Sequence, residues 1–318
     1  MNQSDLRCSR REAICSGLAA GSALLLGASG RALSAEQALI TKPIPSTGEK
    51  LPVIGLGTDK FRSDERGAIQ AQIGRMHQLG ATVIDTAAAY GDSEALIGEA
   101  VGALGIRDRL FIATKLTASG TGFFADGVGG KQSFDRSLAR LRTQRVDLLQ
   151  VHNLDGVDTL MPLLQQWKQA GKIRYLGITT SQVRQHGQMA EYMRRYPLDF
   201  VQVDYSLANR DAAQNVLPLA LERHVAVLAN VPFGFGAVLR QAQSRPLPPW
   251  AAEIDAASWS QFLLKYVVSH PAVTCAIPGS TQVAHLEDNQ GAARGRLPDE
   301  AMRRRMEQYW DAHSDSQT

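Results

Sequence analysis

Four side chains that can take part in acid–base chemistry follow short apolar runs in the chain. Asp85 ends the run Val83-Ile84-Asp85, Tyr90 comes five residues later, and Lys115 and His152 each end a later run. Any one of them alone would most often be a helix cap, a solvated charge or a structural histidine. Because all four occupy the same kind of position, we expect them to converge on one site.

These four residue types match the needs of carbonyl reduction. Hydride addition to a carbonyl carbon leaves an alkoxide, which a general acid must protonate. A tyrosine has a pKa of about 10, and we expect the ammonium of Lys115 to lower the pKa of Tyr90. Asp85 can keep Lys115 charged and oriented, while His152 can donate a hydrogen bond to the substrate oxygen. The sequence holds no nucleophilic serine motif and no cluster of metal ligands, so no metal site is predicted.

Short apolar runs alternate with longer amphipathic stretches from Thr41 onward, without a linker or low-complexity break. Ile44–Ile54 is typical of a β-hairpin, because Thr47-Gly48-Glu49 separates two extended stretches. The predicted strands after it are Ile54–Thr58, Val83–Asp85, Leu110–Lys115, Val146–His152, Tyr175–Ile178, Phe200–Asp204, Ala226–Asn230 and Thr274–Ile277. The predicted helices are Arg66–Leu79, Ser93–Leu104, Lys131–Leu141, Thr159–Ala170, Val183–Tyr196, Ala213–His224, Ser258–Ser269 and Gln282–Ala292, with a further one over Asp299–His313.

Strands and helices that alternate in this way predict an α/β fold, a (β/α)8 TIM barrel with parallel strands buried on both faces. An N-terminal β-hairpin and an additional C-terminal helix would accompany the barrel. In such a barrel the carboxyl ends of all strands lie on one face, where active sites are built. We therefore predict a single barrel domain over residues 41–318, with the four candidate residues together on its catalytic face.

The composition is that of an ordinary globular protein. Of 318 residues, 44% are apolar and 20% are charged. A net charge of +3, with scattered basic residues, indicates no nucleic-acid partner. Cys8 and Cys15 lie in the N-terminal segment, which leaves Cys275 without a disulfide partner in the predicted domain. Because Cys275 lies in an apolar run, it is predicted to be a buried, unreactive thiol.

Residues 1–40 are predicted to be an export signal. Ser9-Arg10-Arg11 precedes an apolar stretch rich in alanine and glycine over Ala13–Ala28, and small residues follow at Ala32–Ala35. This order is typical of a signal peptide, and the paired arginines are similar to the twin-arginine signal, which implies the twin-arginine export machinery as a partner. We expect cleavage near residues 34–36, no stable membrane insertion afterwards, and a periplasmic or extracellular protein. The alternative is an N-terminal helix of the fold.

Several motifs resemble those of the aldo-keto reductase family, over about residues 44–295. The most specific are Ile84–Glu94 and Ile97–Ala100. Later ones are Thr114-Lys115, Asp147–Asn153, Gly171–Ile178, Gln202–Tyr205 and Ile277–Ser280, the last leading to Asp288-Asn289. The resemblance implies an enzyme that reduces an aldehyde or ketone to an alcohol with a nicotinamide cofactor. It assigns Tyr90 as the general acid, with Asp85, Lys115 and His152 completing a tetrad.

The resemblance also implies contacts with the cofactor. Tyr205 would stack on the nicotinamide ring, and Gln202 and Thr179 would lie at its carboxamide. The other implied contacts are Pro232, Gly234 and Gly236 over the pyrophosphate, and Ser280, His285, Asp288 and Asn289 around the adenosine end.

Four residues depart from the family pattern. Thr179-Thr180 stands where the family often has Ser-Asn. Gly279 and His285 stand where members that prefer NADP usually carry a lysine and an arginine. Both cationic contacts with the 2′-phosphate are therefore weakened. The family favours NADP as the cofactor, and NAD is the alternative.

Two other functions are weighed against the reductase. The first is a sensor or accessory protein that binds the cofactor on the same barrel with negligible turnover; the complete tetrad favours the enzyme. The second is a lyase or hydrolase, for which the sequence lacks the carboxylate pair or metal cluster. The carbonyl substrate is not predicted. Phe123 and Phe124 are candidates for lining its pocket, with anchoring of their loop as the alternative.

Overall fold

A computed structural model describes residues 37–121 and 127–314 of the chain. The described part begins with an antiparallel hairpin of β1 (Thr41–Pro43) and β2 (Lys50–Pro52). Gly48 turns the chain between them with a φ of +76°, a conformation that favours glycine. The predicted hairpin is confirmed, with its first strand slightly nearer the amino terminus.

Parallel strands form a closed barrel in the described residues. They are β3 (Leu56–Gly57), β4 (Val83–Asp85), β5 (Phe111–Leu116), β6 (Val146–Val151), β7 (Ile173–Thr179), β8 (Phe200–Asp204), β9 (Ala226–Asn230) and β10 (Val273–Ala276). They neighbour one another in chain order. Parallel bridges from Ile54 to Ala276 and from Gly57 to Gly279 join the first strand to the last. The predicted (β/α)8 barrel is therefore confirmed, with small shifts at the ends of its strands.

Helices surround this sheet. They are α1 (Arg66–Gln78), α2 (Ser93–Leu104), α3 (Gly130–Arg140), α4 (Val157–Gln169), α5 (His186–Arg195), α6 (Val216–Glu222), α7 (Ala237–Gln243), α8 (Trp259–Ser269), α9 (Val283–Gly291) and α10 (Glu300–Ser314). All match predicted helices except α7, which the sequence reasoning missed. Short 3-10 turns over Val183–Gln185 and Asp211–Gln214 precede α5 and α6, so both helices begin later than predicted. Within the described ranges, no helix is long and apolar enough to cross a membrane.

Side chains alternate between the barrel interior and the layer beneath the helices. Phe111, Tyr175 and Phe200 pack together inside, with ring centroids 5.5–5.9 Å apart. Ile44 and Leu51 of the hairpin join this inner cluster and close the amino end of the barrel. Cys275 is fully buried in the same cluster, as predicted, and burial raises the pKa of its thiol.

The first described residues are bonded to the last part of the barrel. The Ile40 amide donates to the carbonyl of Ala293 at 2.8 Å, and Leu39 forms a bridge with Arg294. The Lys42 Nζ donates to the carbonyls of Val268, His270 and Val273 at 2.7–2.8 Å. Residues 37–40 of the predicted export signal therefore contact the barrel, and its residues 1–36 lie outside the described residues.

Candidate active site

Asp85 and Lys115 form a buried ion pair at the carboxyl ends of β4 and β5. The Lys115 Nζ lies 2.6 Å from Asp85 Oδ2, and the side chains are only 1% and 4% exposed. Strand alternation explains the pair, because Val83 faces the interior and Asp85, two residues on, does so too. Burial alone would lower the pKa of Lys115, but the charge of Asp85 and the nearby Tyr90 raise it, so the lysine stays charged.

Tyr90 lies on the loop between β4 and α2. Its hydroxyl accepts a long hydrogen bond of 3.5 Å from Lys115 Nζ, and its ring meets His152 edge-on at 5.7 Å. Burial raises the pKa of Tyr90, Lys115 counteracts this, and Asp85 and Asp59 add to the rise. Lys115 lowers the pKa of Tyr90, as expected. Burial raises that pKa by more, so the expectation of an overall fall is wrong.

The loop that carries Tyr90 is held from two sides. On one side, Lys115 donates from Nζ to the carbonyl of Thr86 at 2.8 Å, and its own carbonyl accepts from the Ala88 amide at 3.0 Å. On the other side, Arg140 of α3 donates to the carbonyl of Ala88 at 3.2 Å and to Glu94 at 3.4 Å. The loop is therefore fixed by the same lysine that its tyrosine contacts.

A chain of hydroxyl groups closes the base of that loop. Thr58 Oγ1 donates to the carbonyl of Asp85 at 2.9 Å and accepts from Ser93 Oγ at 2.8 Å, which lies 3.0 Å from Thr86 Oγ1. All of these side chains are buried. These hydrogen-bonded hydroxyl groups connect the end of β3 to the start of α2.

His152 is the first residue after β6 and is buried beside Tyr90. Burial, with the charge of Lys115, lowers the pKa of His152 to about 3. The imidazole is therefore neutral at pH 7, and one ring nitrogen carries a proton that it can donate.

An amide cluster lies at the ends of β7, β8 and β9. Gln202 donates from Nε2 to Asp85 Oδ1 at 2.8 Å, and its Oε1 accepts from Thr179 Oγ1 at 3.0 Å. Asn230 donates to the carbonyl of Thr180 at 3.0 Å, while its buried Oδ1 has no hydrogen-bond partner in the described part. The sequence reasoning missed Asn230, although a polar residue at the end of a strand was the signal that identified Asp85.

Tyr205 does not face this cluster, and the prediction that it stacks on a nicotinamide ring is wrong. Gln202 points into the barrel, so Tyr205, three residues later, points outward. Its ring is 1% exposed and stacks on Tyr266 of α8 at 5.9 Å, and its hydroxyl accepts from Arg303 of α10 at 2.6 Å. This tyrosine is a core residue between the sheet and two helices.

The predicted pyrophosphate loop follows β9 directly. Gly234 and Gly236 have φ values of +56° and +88°. Pro232 is buried, and Phe235 is 77% exposed, also with a positive φ. The loop is therefore a tight turn at the carboxyl end of the barrel.

The residues predicted for the adenosine end lie on β10, α9 and the link between them. Ser280 is buried and accepts from Gln72 Nε2 at 3.0 Å, whereas His285 is exposed. Asp288 accepts from the hydroxyl of Ser258, which caps the first turn of α8, and Asn289 beside it is buried. Phe123 and Phe124 lie outside the described residues.

Asp59 is a second residue that the sequence reasoning missed. It comes two residues after β3, and its side chain is 40% exposed. A methyl group added to Gly279 would lie 3.3 Å from Asp59 Oδ1, so the carboxylate lies against the link after β10. Burial raises the pKa of both Asp85 and Tyr90, and the charge of Asp59 adds to the rise.

The chain matches the aldo/keto reductase family over residues 53–309. It is 32% identical to the aldo-keto reductase YhdN of Bacillus subtilis over 200 residues, which are 58% of this chain and 59% of that protein. It is 28% identical to the methylglyoxal reductase YeaE of Escherichia coli over 263 residues, which are 78% of this chain and 88% of that protein. An aldo/keto reductase from Klebsiella pneumoniae, solved in complex with NADP and acetate, is 25% identical, with a TM-score of 0.69 over 83% of this chain and 93% of that one.

Proposed function

The chain belongs to the aldo/keto reductase family, and we propose that it reduces an aldehyde or ketone to an alcohol with NADP(H), using Tyr90 as the general acid. One observation carries the proposal. The buried Lys115 ammonium lies within hydrogen-bond distance of both Asp85 and the Tyr90 hydroxyl. A proton donor held beside a fixed positive charge is what the alkoxide formed in carbonyl reduction requires.

Tyr90 would supply the proton. Because burial raises its pKa, the hydroxyl stays protonated at neutral pH until a developing alkoxide takes the proton. Lys115, 3.5 Å from the hydroxyl, would stabilise the phenolate left behind, and Asp85 would hold Lys115 in position. The tyrosine would then recover its proton from solvent.

His152 would orient the carbonyl. It is neutral because its pKa is about 3, so it can donate a hydrogen bond without competing for the Tyr90 proton. A donor on the carbonyl oxygen, next to the tyrosine hydroxyl, fixes which face of the carbonyl is open to hydride.

The residues at the ends of β7 to β10 fit a nicotinamide cofactor, which when bound supplies the hydride. Asn230 Oδ1 is buried without a partner in the described part, so it is free to accept from a carboxamide, with Gln202 and Thr179 beside it. The complex of the Klebsiella pneumoniae relative with NADP supports NADP(H) as the cofactor. NAD(H) is the alternative, because Gly279 and His285 provide no lysine or arginine for a 2′-phosphate.

Replacing Tyr90 tests the proposal. Tyr90→Phe removes the proton donor and keeps the ring, so kcat for a simple aldehyde with NADPH should fall by about 10²- to 10⁴-fold. The dissociation constant of NADPH, measured by fluorescence titration, should stay nearly unchanged. A variant that keeps more than about a tenth of the wild-type kcat would show that another group donates the proton.

We also propose that the protein is exported by the twin-arginine route to the periplasm or beyond. The order of paired arginines, an apolar stretch and small residues in the first 40 residues supports this. Arg10→Lys and Arg11→Lys together should retain the protein in the cytoplasm, folded and active, as cell fractionation and an aldehyde reductase assay would report. Equal amounts of variant and wild type in the periplasm would refute the route and leave the enzyme assignment intact.

A further inference from the structure

The charges near the proposed active site do not balance. Asp85 and Lys115 form a pair at 2.6 Å, and His152 is neutral, so the buried groups carry almost no net charge. Asp59 remains, a carboxylate that is 40% exposed and acts on Tyr90 from outside the buried pair. Among the described residues it is the partly exposed charge that acts on Tyr90, so we expect a substrate approaching Tyr90 to meet it.

Neighbouring cations compensate Asp59 only weakly. The Lys60 Nζ lies 3.4 Å from Asp59 Oδ2, but its side chain is 67% exposed, and pairs between solvated side chains are weak. Arg62 is exposed and donates to the backbone carbonyls of Asp59 and Phe61 rather than to the carboxylate. Neither cation removes the negative charge from the carboxylate.

Two contacts place Asp59 at the site. Thr58, the residue before it, donates to the carbonyl of Asp85, so the chain leaves β3 directly beside the ion pair. The carboxylate then lies against Gly279, at the closure between the first and last strands of the barrel. Asp59 is thus held by the barrel rim on the face that carries Tyr90.

We propose that Asp59 determines the charge class of the substrate: the enzyme prefers neutral or cationic carbonyl compounds and discriminates against those with a carboxylate or phosphate near the carbonyl. This rests on the proposed function. An anionic group that binds near Asp59 meets like-charge repulsion, whereas a cationic group meets attraction.

Three aldehydes of similar shape test the inference. They are 4-nitrobenzaldehyde, which is neutral, 4-carboxybenzaldehyde, which is anionic, and 4-(trimethylammonio)benzaldehyde, which is cationic. We expect Asp59→Asn to raise kcat/KM for the anionic aldehyde, relative to the neutral one, by about threefold to tenfold. The same substitution should lower kcat/KM for the cationic aldehyde relative to the neutral one. Ratios between substrates cancel any effect of Asp59 on cofactor binding or on Tyr90.

Asp59→Glu and Lys60→Gln serve as controls. Asp59→Glu keeps the charge and should keep the wild-type ranking, and Lys60→Gln should change the ratios by less than about twofold because its ammonium is solvated. Unchanged ratios in Asp59→Asn, or an equal and opposite change in Lys60→Gln, would overturn the inference. If wild-type enzyme reduced none of the three aldehydes with NADPH or NADH, the proposed function itself would fail.

Discussion

Asp85 connects the two halves of the proposed site. Its Oδ2 accepts from Lys115 at 2.6 Å, and its Oδ1 accepts from Gln202 at 2.8 Å. Lys115 contacts the proposed proton donor, while Gln202 belongs to the amide cluster that fits the cofactor. A single carboxylate therefore positions both the acid and a cofactor contact, and its loss would disturb both.

Gly279→Lys should shift cofactor preference towards NADPH. A lysine there can pair with the 2′-phosphate through a charge-assisted bond worth about 1.5–3 kcal/mol. Asp59 Oδ1 lies 3.3 Å from where the new Cβ would be, so it competes for the ammonium. We therefore expect a larger shift when Asp59→Asn is added. Dissociation constants of NADPH and NADH measure both effects.

Gly67→Lys is the matched control for that experiment. Gly67 lies in α1, is exposed, and has no atom within 4 Å of an added Cβ outside its own helix backbone, so it has room for a lysine. It adds the same charge to the molecule and should leave the ratio of the two dissociation constants unchanged. If neither Gly279 variant changed that ratio, Gly279 would not lie at the 2′-phosphate.

The helices behind the loop of Tyr90 approach each other at one glycine. A methyl group on Gly98 of α2 would lie 2.3 Å from the carbonyl oxygen of Arg140 in α3, far inside contact distance. Arg140 is also the residue that bonds the carbonyl of Ala88 and the buried Glu94. The close approach of α2 and α3 thus brings the Arg140 guanidinium to the loop.

Gly98→Ala should destabilise the barrel by about 1–3 kcal/mol, because the added methyl forces the two helices apart. Gly102→Ala, in the same helix with no atom within 4 Å of the new Cβ, should instead stabilise it by about 0.5–1 kcal/mol. Urea denaturation of both variants gives the comparison. Equal stabilities would mean that α2 and α3 have room to adjust.

The sequence predicts the elements better than it predicts where their side chains point. Strands buried on both faces are apolar at nearly every position, so all eight barrel strands could be recognised, but the same uniformity hides which residues face inward. Tyr205 was assigned from the family resemblance, and only its contacts with Tyr266 and Arg303 show that it points away from the barrel interior. Asp59 and Asn230 stand at or directly after the ends of predicted strands, as Asp85 does, but both are turn-forming residue types, and they were not distinguished from ordinary loop residues. The short helix α7 follows a glycine-rich turn that gives no helix signal.

The stability of the whole molecule should respond to acid through His270, which follows α8. Burial, with the charges of Arg303 and Lys42, lowers its pKa to about 4. An unfolded histidine has a pKa of about 6.5, so between pH 6.5 and 4 the unfolded chain binds a proton that the folded protein does not. Protonation therefore favours unfolding as the pH falls through this range.

His270→Gln removes the imidazole that binds this proton in the unfolded chain. Between pH 7 and pH 4.5, the free energy of unfolding of the variant should rise relative to wild type by about 1 kcal/mol, a value reduced for partial exposure of the ring. The lost hydrogen bond from the Ala272 amide to Nδ1 is the same at both pH values and cancels. Urea titrations at the two pH values measure the change, and a difference independent of pH would contradict it.

The bonds between the first described residues and the end of the barrel set an order of events in time. The Lys42 ammonium and its carbonyl partners are 226–231 residues apart in the chain, and Arg294 bonds the carbonyl of Gln37 across 257. Contacts between residues so far apart in the sequence form late in folding. The hairpin leaves the ribosome early but cannot complete these bonds until residues 268–294 have been made. For a chain exported in the folded state, synthesis would finish first, the barrel would close next, and transport would follow.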